Sequence, residues 1–354
     1  MSIPNLIDPD TAEAVCTSPA GQPAPNVGRV GVMLVNLGTP EGTDYAPMRR
    51  YLKEFLSDRR VIEWPRAVWF PILYGIVLNT RPKRSGALYR NIWNQERDES
   101  PLRTFTRAQG EKLATALVAH ENVVVDWAMR YGDPSIETVT KRLLDQGCDR
   151  IVMFPLYPQY SATTTATVND KFFEALMKLR FMPAVRTVPA YPGEPVYIEA
   201  LARSVEKHLA TLDFEPEVVI ASYHGIPESY SQRGDPYRAQ CETTTRLMRE
   251  RLGWDEKKLI TCFQSRFGPE EWLKPYTDET VERLAREGVK SIAVINPGFV
   301  SDCLETIDEM GREVAHIYRE AGGQNYSHIP CLNDSEEGMA VIETLVRREL
   351  SGWI

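Results

Sequence analysis

The chain has 354 residues, 43% hydrophobic and 25% charged, which is enough apolar sequence for one large soluble domain or two ordinary ones. Its formal net charge of -8, with no basic arm or Lys/Arg run to neutralise phosphates, argues against a nucleic-acid partner. The six cysteines (Cys16, Cys148, Cys241, Cys262, Cys303, Cys331) form no C-x-x-C pair, so they read as reduced thiols rather than a zinc module or redox dithiol.

Residues 1–28 are expected to be a disordered tail. The first 27 hold no Lys or Arg, unlike a secretory start or an Arg-rich import peptide. No stretch approaches the ~20 apolar residues of a membrane span. From Arg29 the pattern changes. The run 30–36 (VGVMLVN) is almost wholly apolar and stops at Gly38-Thr39-Pro40, as a buried parallel strand would. Similar runs recur at 123–128, 151–154, 185–188, 218–223, 259–263, 292–295 and, weakly, 326–329. Helical periodicity lies between most of them, as at 136–144, 197–209 and 281–286. Strands alternating with helices imply parallel sheets covered on both faces.

The eight strands fall into two sets of four that echo each other. Gly38-Thr39-Pro40 matches Gly225-Ile226-Pro227, and Arg130-Tyr131-Gly132 matches Arg266-Phe267-Gly268. The expected fold is therefore α/β: two similar Rossmann-like domains, each a four-stranded parallel sheet flanked by helices, over 29–190 and 191–330, with a final helix over 331–354. Ligands of such sheets bind outside the carboxyl ends of the strands, and a duplication sets two such rims across one cleft. The longest departure is 64–93, where Trp64, Trp69, Phe70, Leu73, Tyr74 and Ile76 crowd together, Pro65 and Pro71 interrupt them, and Arg81, Lys83 and Arg84 follow. Such a segment fits a core helix and an interfacial lip about equally.

Residues able to do chemistry gather just past strands. His224 ends the fifth strand in Ser222-Tyr223-His224-Gly225-Ile226-Pro227, where a tight turn would hold the imidazole at the rim. A histidine there serves as a structural group about as readily as a functional one. The other histidines read as helical (His120, His208, His316) or as part of a late strand (His328). Glu305 and Glu309, at i and i+4, share a helix face directly after the seventh strand, and Asp302 stands where it would cap that helix. Adjacent carboxylates raise one another's pKa, which suits proton transfer, and they are hard oxygen ligands for a divalent metal. Tyr131, Arg130, Tyr157, Tyr160, Trp272, Tyr276 and Phe299 line the same rims, the makings of an aromatic slot for a planar ligand with acidic edges. No G-x-G-x-x-G follows a strand, and neither a P-loop nor a G-x-S-x-G elbow is present.

Five segments in order resemble ferrochelatases: Val35-Asn36-Leu37-Gly38-Thr39-Pro40, Pro155-Leu156-Tyr157-Pro158-Gln159-Tyr160-Ser161, Ser222-Tyr223-His224-Gly225-Ile226-Pro227, Phe263-Gln264-Ser265-Arg266-Phe267-Gly268 and Pro297-Gly298-Phe299-Val300-Ser301-Asp302-Cys303-Leu304-Glu305-Thr306. The resemblance runs from about Arg29 to the C-terminus. It implies the chelatase fold with the last helix packed back on the first domain, and insertion of Fe2+ into protoporphyrin IX to give protoheme and two protons. It implies His224, Glu305 and Glu309 as catalytic residues, with His224 and Glu305 meeting the metal. Porphyrin contacts would come from Leu37, Arg81, Tyr89, Arg130, Tyr131, Tyr157, Trp272 and Phe299, with Asp302 and Ser265 as further members of the site. Segment 64–93 becomes the lip that faces a membrane and admits substrate.

The resemblance brings partners too: an inner-membrane surface, and handover from the preceding porphyrin-oxidising enzyme. A [2Fe–2S] cluster, carried by some of the family, is not expected, because Ala162 stands at its loop cysteine and the chain ends Ser351-Gly352-Trp353-Ile354. No cofactor beyond the Fe2+ substrate is expected. A bacterial cytosolic enzyme at the inner membrane is the implied setting. The rivals are a chelatase for coproporphyrin or another metal, and a non-catalytic tetrapyrrole or heme carrier.

Overall fold

A computed structural model describes residues 28–354, so the tail expected over 1–28 lies, except for Gly28, outside the described residues. Eight strands form two four-stranded parallel sheets: β1 (Arg29–Gly38), β2 (Val123–Tyr131), β3 (Cys148–Pro155) and β4 (Ala184–Thr187), then β5 (Val218–His224), β6 (Leu259–Gln264), β7 (Ser291–Ile295) and β8 (Asn325–Ile329). The first sheet has the order β2-β1-β3-β4 and the second β6-β5-β7-β8, the same winding twice. That repetition bears out the duplicated α/β architecture. The central strands are buried on both faces, which is why they read as continuous apolar runs rather than alternations.

One apolar cluster joins the sheets, with Val32 and Leu34 of β1, Val219 and Ala221 of β5, and Val341 and Leu345 of the last helix, Glu336–Leu350. That helix starts at Ser335, whose hydroxyl accepts from the Gly338 amide, and it packs on helices Pro195–Leu209 and Pro101–Ala116 and on β3. Beyond its end, Arg150 and Arg186 donate to the carbonyls of Trp353 and Ser351, and the Arg186 guanidinium lies 4.1 Å over the Trp353 ring.

β2 runs three residues beyond the expected stretch because β1 is long enough to pair with it to the end, Gly38 opposite Tyr131. Gly38 has φ +115°, and a Cβ there would meet the Tyr131 carbonyl at 1.9 Å, so only glycine closes this turn. Arg130 and Tyr131 consequently belong to the strand, not to a loop past it. His120 lies just beyond a helix that ends at Ala116.

Segment 64–93 is helical in three pieces: Arg66–Ile72, a π-helix Leu73–Val77, and Leu78–Ile92. Pro82 cannot donate to the carbonyl of Leu78, and the Tyr45 hydroxyl fills that place at 3.1 Å. One side of the excursion, with Trp69, Leu73, Leu78 and Tyr89, packs on Met48, Tyr51 and Leu52. The other leaves Val68, Phe70, Tyr74 and Ile76 exposed. The segment is thus half core and half bare apolar surface.

Candidate active site

The strand tips of both sheets face a cleft of about 940 Å³, counting its open mouth. Five of the residues singled out from sequence line it: Leu37 near the end of β1, Tyr157 past β3, His224 at the tip of β5, Trp272, and Phe299 past β7. Among the described residues that line it there is no Lys, Arg, Asp or Glu.

His224 pairs with Gln264 at the end of β6, and its Nδ1 lies 2.7 Å from the carbonyl of Gly225. A carbonyl can only accept, so Nδ1 carries a hydrogen, and in a neutral imidazole Nε2 is the nitrogen with the free lone pair. Trp272 sits beside the imidazole with ring centroids 6.4 Å apart. Gly225 is needed for this closeness, because a Cβ there would lie 3.0 Å from the Gln264 carbonyl and 3.1 Å from the Trp272 ring.

The acidic segment departs from the expected α-helix. Glu305–Val314 is a ten-residue π-helix, a rare form that recurs at functional sites. Glu305 and Glu309 do share it, yet neither lines the cleft. Cys303 does, two residues before Glu305, and its buried thiol is held well above the ordinary range by desolvation and then by the charge of Glu305. Tyr89 is buried, and its phenol is pushed up by that burial and next by the Glu305 charge, which also acts on buried Tyr51. Glu309 accepts from the Ser265 hydroxyl at 2.5 Å, and desolvation, with the charges of Glu305 and Glu313, lifts it to about 7. It borders a smaller surface pocket with Ser265, Asp278 and Glu313. Glu305, Glu309 and Glu313 follow one another along the π-helix, from the turn next to cleft-lining Cys303 to exposed Glu313.

Asp302 does not cap the helix. Its carboxylate is taken by the Thr306 hydroxyl (2.8 Å), the Asn333 amide (2.7 Å) and the Cys331 backbone N–H (3.3 Å), which tie the start of the π-helix to the loop after β8. Arg130 and Tyr131 do not reach the cleft either. Arg130 is paired with Asp58 and donates to Thr167 Oγ1 at 2.7 Å, and the Tyr131 hydroxyl donates to Asp58 at 2.9 Å. Burial raises the Asp58 carboxyl, but Thr167, the Arg60 amide and Arg130 outweigh it and hold it below its usual value. Tyr131 is wholly buried, and cleft-lining Phe55 packs edge-on against it with ring centroids 5.0 Å apart.

Arg81 sits on the lip with its guanidinium 4.3 Å over the Phe267 ring, and the Phe267 carbonyl accepts from the Trp272 indole. Close by, Glu63 pairs with Arg233, the Tyr230 hydroxyl donates to the carbonyl of cleft-lining Val61, and the Trp64 indole donates to Glu270 at 2.5 Å. The lip end of the cleft thus carries both signs of charge, with Arg233 neutralised by Glu63 and Arg81 stacked on Phe267.

Sequence reasoning missed Phe55, Gln159, Thr163, Thr164, Tyr237 and Cys303 as lining residues. Gln159 lies in the singled-out segment with Tyr157, the threonines stand just beyond its end, and Cys303 lies inside the acidic one, so proximity was the available signal. Phe55 and Tyr237 carry none.

The profile of the Ferrochelatase family matches residues 29–350. The chain belongs to this family. A ferrochelatase of Chelativorans sp. (strain BNC1) is 76% identical over 344 residues, covering 97% of this chain and 98% of that protein. A ferrochelatase of Brucella anthropi is 76% identical over 326 residues, covering 92% and 93%. Among solved structures, SirB from Bacillus subtilis with Fe3+ superposes with a TM-score of 0.51 at 15% identity, covering 90% of this chain and 95% of that one. The sirohydrochlorin chelatase SirB from Bacillus subtilis subspecies spizizenii, with cobalt, gives 0.50 at 12%, covering 90% and 94%. At such identity these two speak for the fold alone.

Proposed function

We propose that the protein inserts Fe2+ into protoporphyrin IX, releasing two protons and forming protoheme, the last step of heme biosynthesis. The observation that carries this reading is the distribution of charge: an aromatic cleft with no carboxylate, ammonium or guanidinium among its described lining residues, and the Arg81 guanidinium at its lip end. Protoporphyrin has its propionates on two adjacent pyrroles, so one edge can stay outside at Arg81 while the vinyl edge enters. Coproporphyrin has a propionate on every pyrrole, and any orientation would bury a carboxylate without a cation, at a cost of several kcal/mol.

In this reading Leu37, Trp272 and Phe299 wall the ring and press it out of plane, presenting nitrogen lone pairs to the metal. The bare Nε2 of His224 accepts a pyrrole proton or meets the incoming iron. Glu305 and Glu309 then pass protons outward or stage the cation, and a carboxyl lifted to about 7 suits either exchange at neutral pH. Arg130, Tyr131 and Asp302 act by holding these elements in place. No resident cofactor is required.

The exposed Val68, Phe70, Tyr74 and Ile76, with Lys53 stacked on Tyr74 and Arg66 on Phe70, support a lip that rests on the cytoplasmic side of the inner membrane. Porphyrin would arrive there from the enzyme that oxidises it. Among the described residues no helix is long and apolar enough to cross a membrane. The test is an anaerobic assay of purified protein with Fe2+ and either protoporphyrin IX or coproporphyrin III. Metallation of the first well ahead of the second is expected. Equal or better use of coproporphyrin overturns the choice of ring, and failure with both leaves a tetrapyrrole carrier.

A further inference from the structure

The histidine and the carboxylates of the proposed reaction sit on different elements, the tip of β5 and the π-helix Glu305–Val314. One buried side chain spans them. Gln264, opposite His224 at the end of β6, donates from Nε2 to the Glu305 carbonyl at 3.3 Å. Its Oε1 accepts from the Ser222 hydroxyl and from Asn296 Nδ2, each at 2.8 Å. Asn296 Nδ2 also donates to the Ser222 carbonyl at 3.0 Å, and Asn296 Oδ1 lies 2.8 Å from His328 Nε2.

The polarity of this chain is forced. The carbonyls of Ser222 and Glu305 can only accept, so both amides have one permitted orientation and Asn296 presents its oxygen to His328. His328 Nε2 must therefore carry the hydrogen. Its other nitrogen, Nδ1, faces the π-helix at Gly311, 3.9 Å from where a Cβ would stand. Burial holds the imidazole below the ordinary histidine range and keeps it neutral.

We propose that His328 is a positioning residue for metal insertion: through Asn296 and Gln264 it locks the first turn of the glutamate-bearing π-helix to the strand that carries His224. It touches neither ring nor metal. Its effect is on the relative placement of donor groups, which governs the insertion step rather than porphyrin binding. The inference rests on the proposed function, and the two fail differently. An unmodified protein that inserts no iron sinks the function. An active protein indifferent to His328 sinks this.

The experiment compares the unmodified protein with His328→Leu and His328→Gln in the anaerobic iron assay, and records the imidazole 15N shifts of the unmodified protein. A glutamine can still donate to Asn296. Expected are a neutral His328 protonated at Nε2, a roughly ten- to hundredfold loss of kcat in His328→Leu with the porphyrin KM within about twofold, and recovery of most of that loss in His328→Gln. Unchanged kcat in His328→Leu, a loss expressed in KM, equal loss in both variants, or an Nδ1-protonated tautomer overturns the proposal. Should His328→Leu not fold, the tautomer and the kcat of His328→Gln decide it.

Discussion

Both halves place a π-helix after their third strand, and they load it differently. The first, Ala162–Ala166, is uncharged, and its Thr163 and Thr164 line the cleft. The second, Glu305–Val314, carries Glu305, Glu309 and Glu313, none of which does. The rim tripeptides diverge in the same way. Arg130 is buried against Asp58, whereas Arg266 lies on the surface, 4.1 Å over the Tyr276 ring and paired with Asp278 and Glu279. A duplicated backbone supplies two equivalent rims, and the side chains make one an uncharged wall and load the other with carboxylates, which the proposed function uses as a route for protons and cations.

The sharpest way to break that comparison is to exchange its chemistry. Glu305→Gln should lower the rate of iron insertion by at least about a hundredfold with porphyrin affinity largely kept, and His224→Ala should do the same. Thr163→Val should change the rate by no more than about threefold. Comparable losses at Glu305 and Thr163 in single-turnover assays would erase the distinction. Next in size is the arginine pair. Arg130→Leu strands a buried Asp58 and should cost roughly 3–5 kcal/mol in urea unfolding, against under about 1 kcal/mol for Arg266→Leu.

A pH series tests the acidic route. Glu309 titrates near 7 in the folded chain against an ordinary 4.5, so between those values the folded protein holds a proton that the unfolded chain has lost. Its contribution to stability therefore falls as pH rises through that window. Glu309→Gln removes the effect. The variant should gain on its parent, by up to roughly 3 kcal/mol, between about pH 5 and pH 8. A constant difference across the series would show Glu309 ionised throughout. The smallest effect concerns the lip: Phe70→Ser with Ile76→Ser should weaken sedimentation with anionic vesicles by about tenfold and leave the assay in detergent unchanged.

The strands, their pairing into halves and the family were readable in the sequence, because buried parallel strands write themselves as short apolar runs and the strand ends carry specific segments. The site was readable only in part. Leu37, Tyr157, His224, Trp272 and Phe299 reach the cleft since each lies at or beyond a strand tip. Arg130 and Tyr131 do not, because β2 continues through them and turns them onto Asp58. Asp302 sits in a capping position, but Thr306, Asn333 and Cys331 compete for its oxygens.

What the sequence determined by itself is local: which runs are apolar enough to be central strands, where glycine must close a turn, and which segments bear titratable groups. The tertiary structure decided what those groups face. That Cys303 enters the cleft lining while Glu305 stays out of it depends on the π-helix and on its packing against the helix Leu78–Ile92, more than 200 residues away in the chain. Hydrogen bonds across such separations leave no periodic trace, because each partner is chosen by packing and not by its neighbours in sequence.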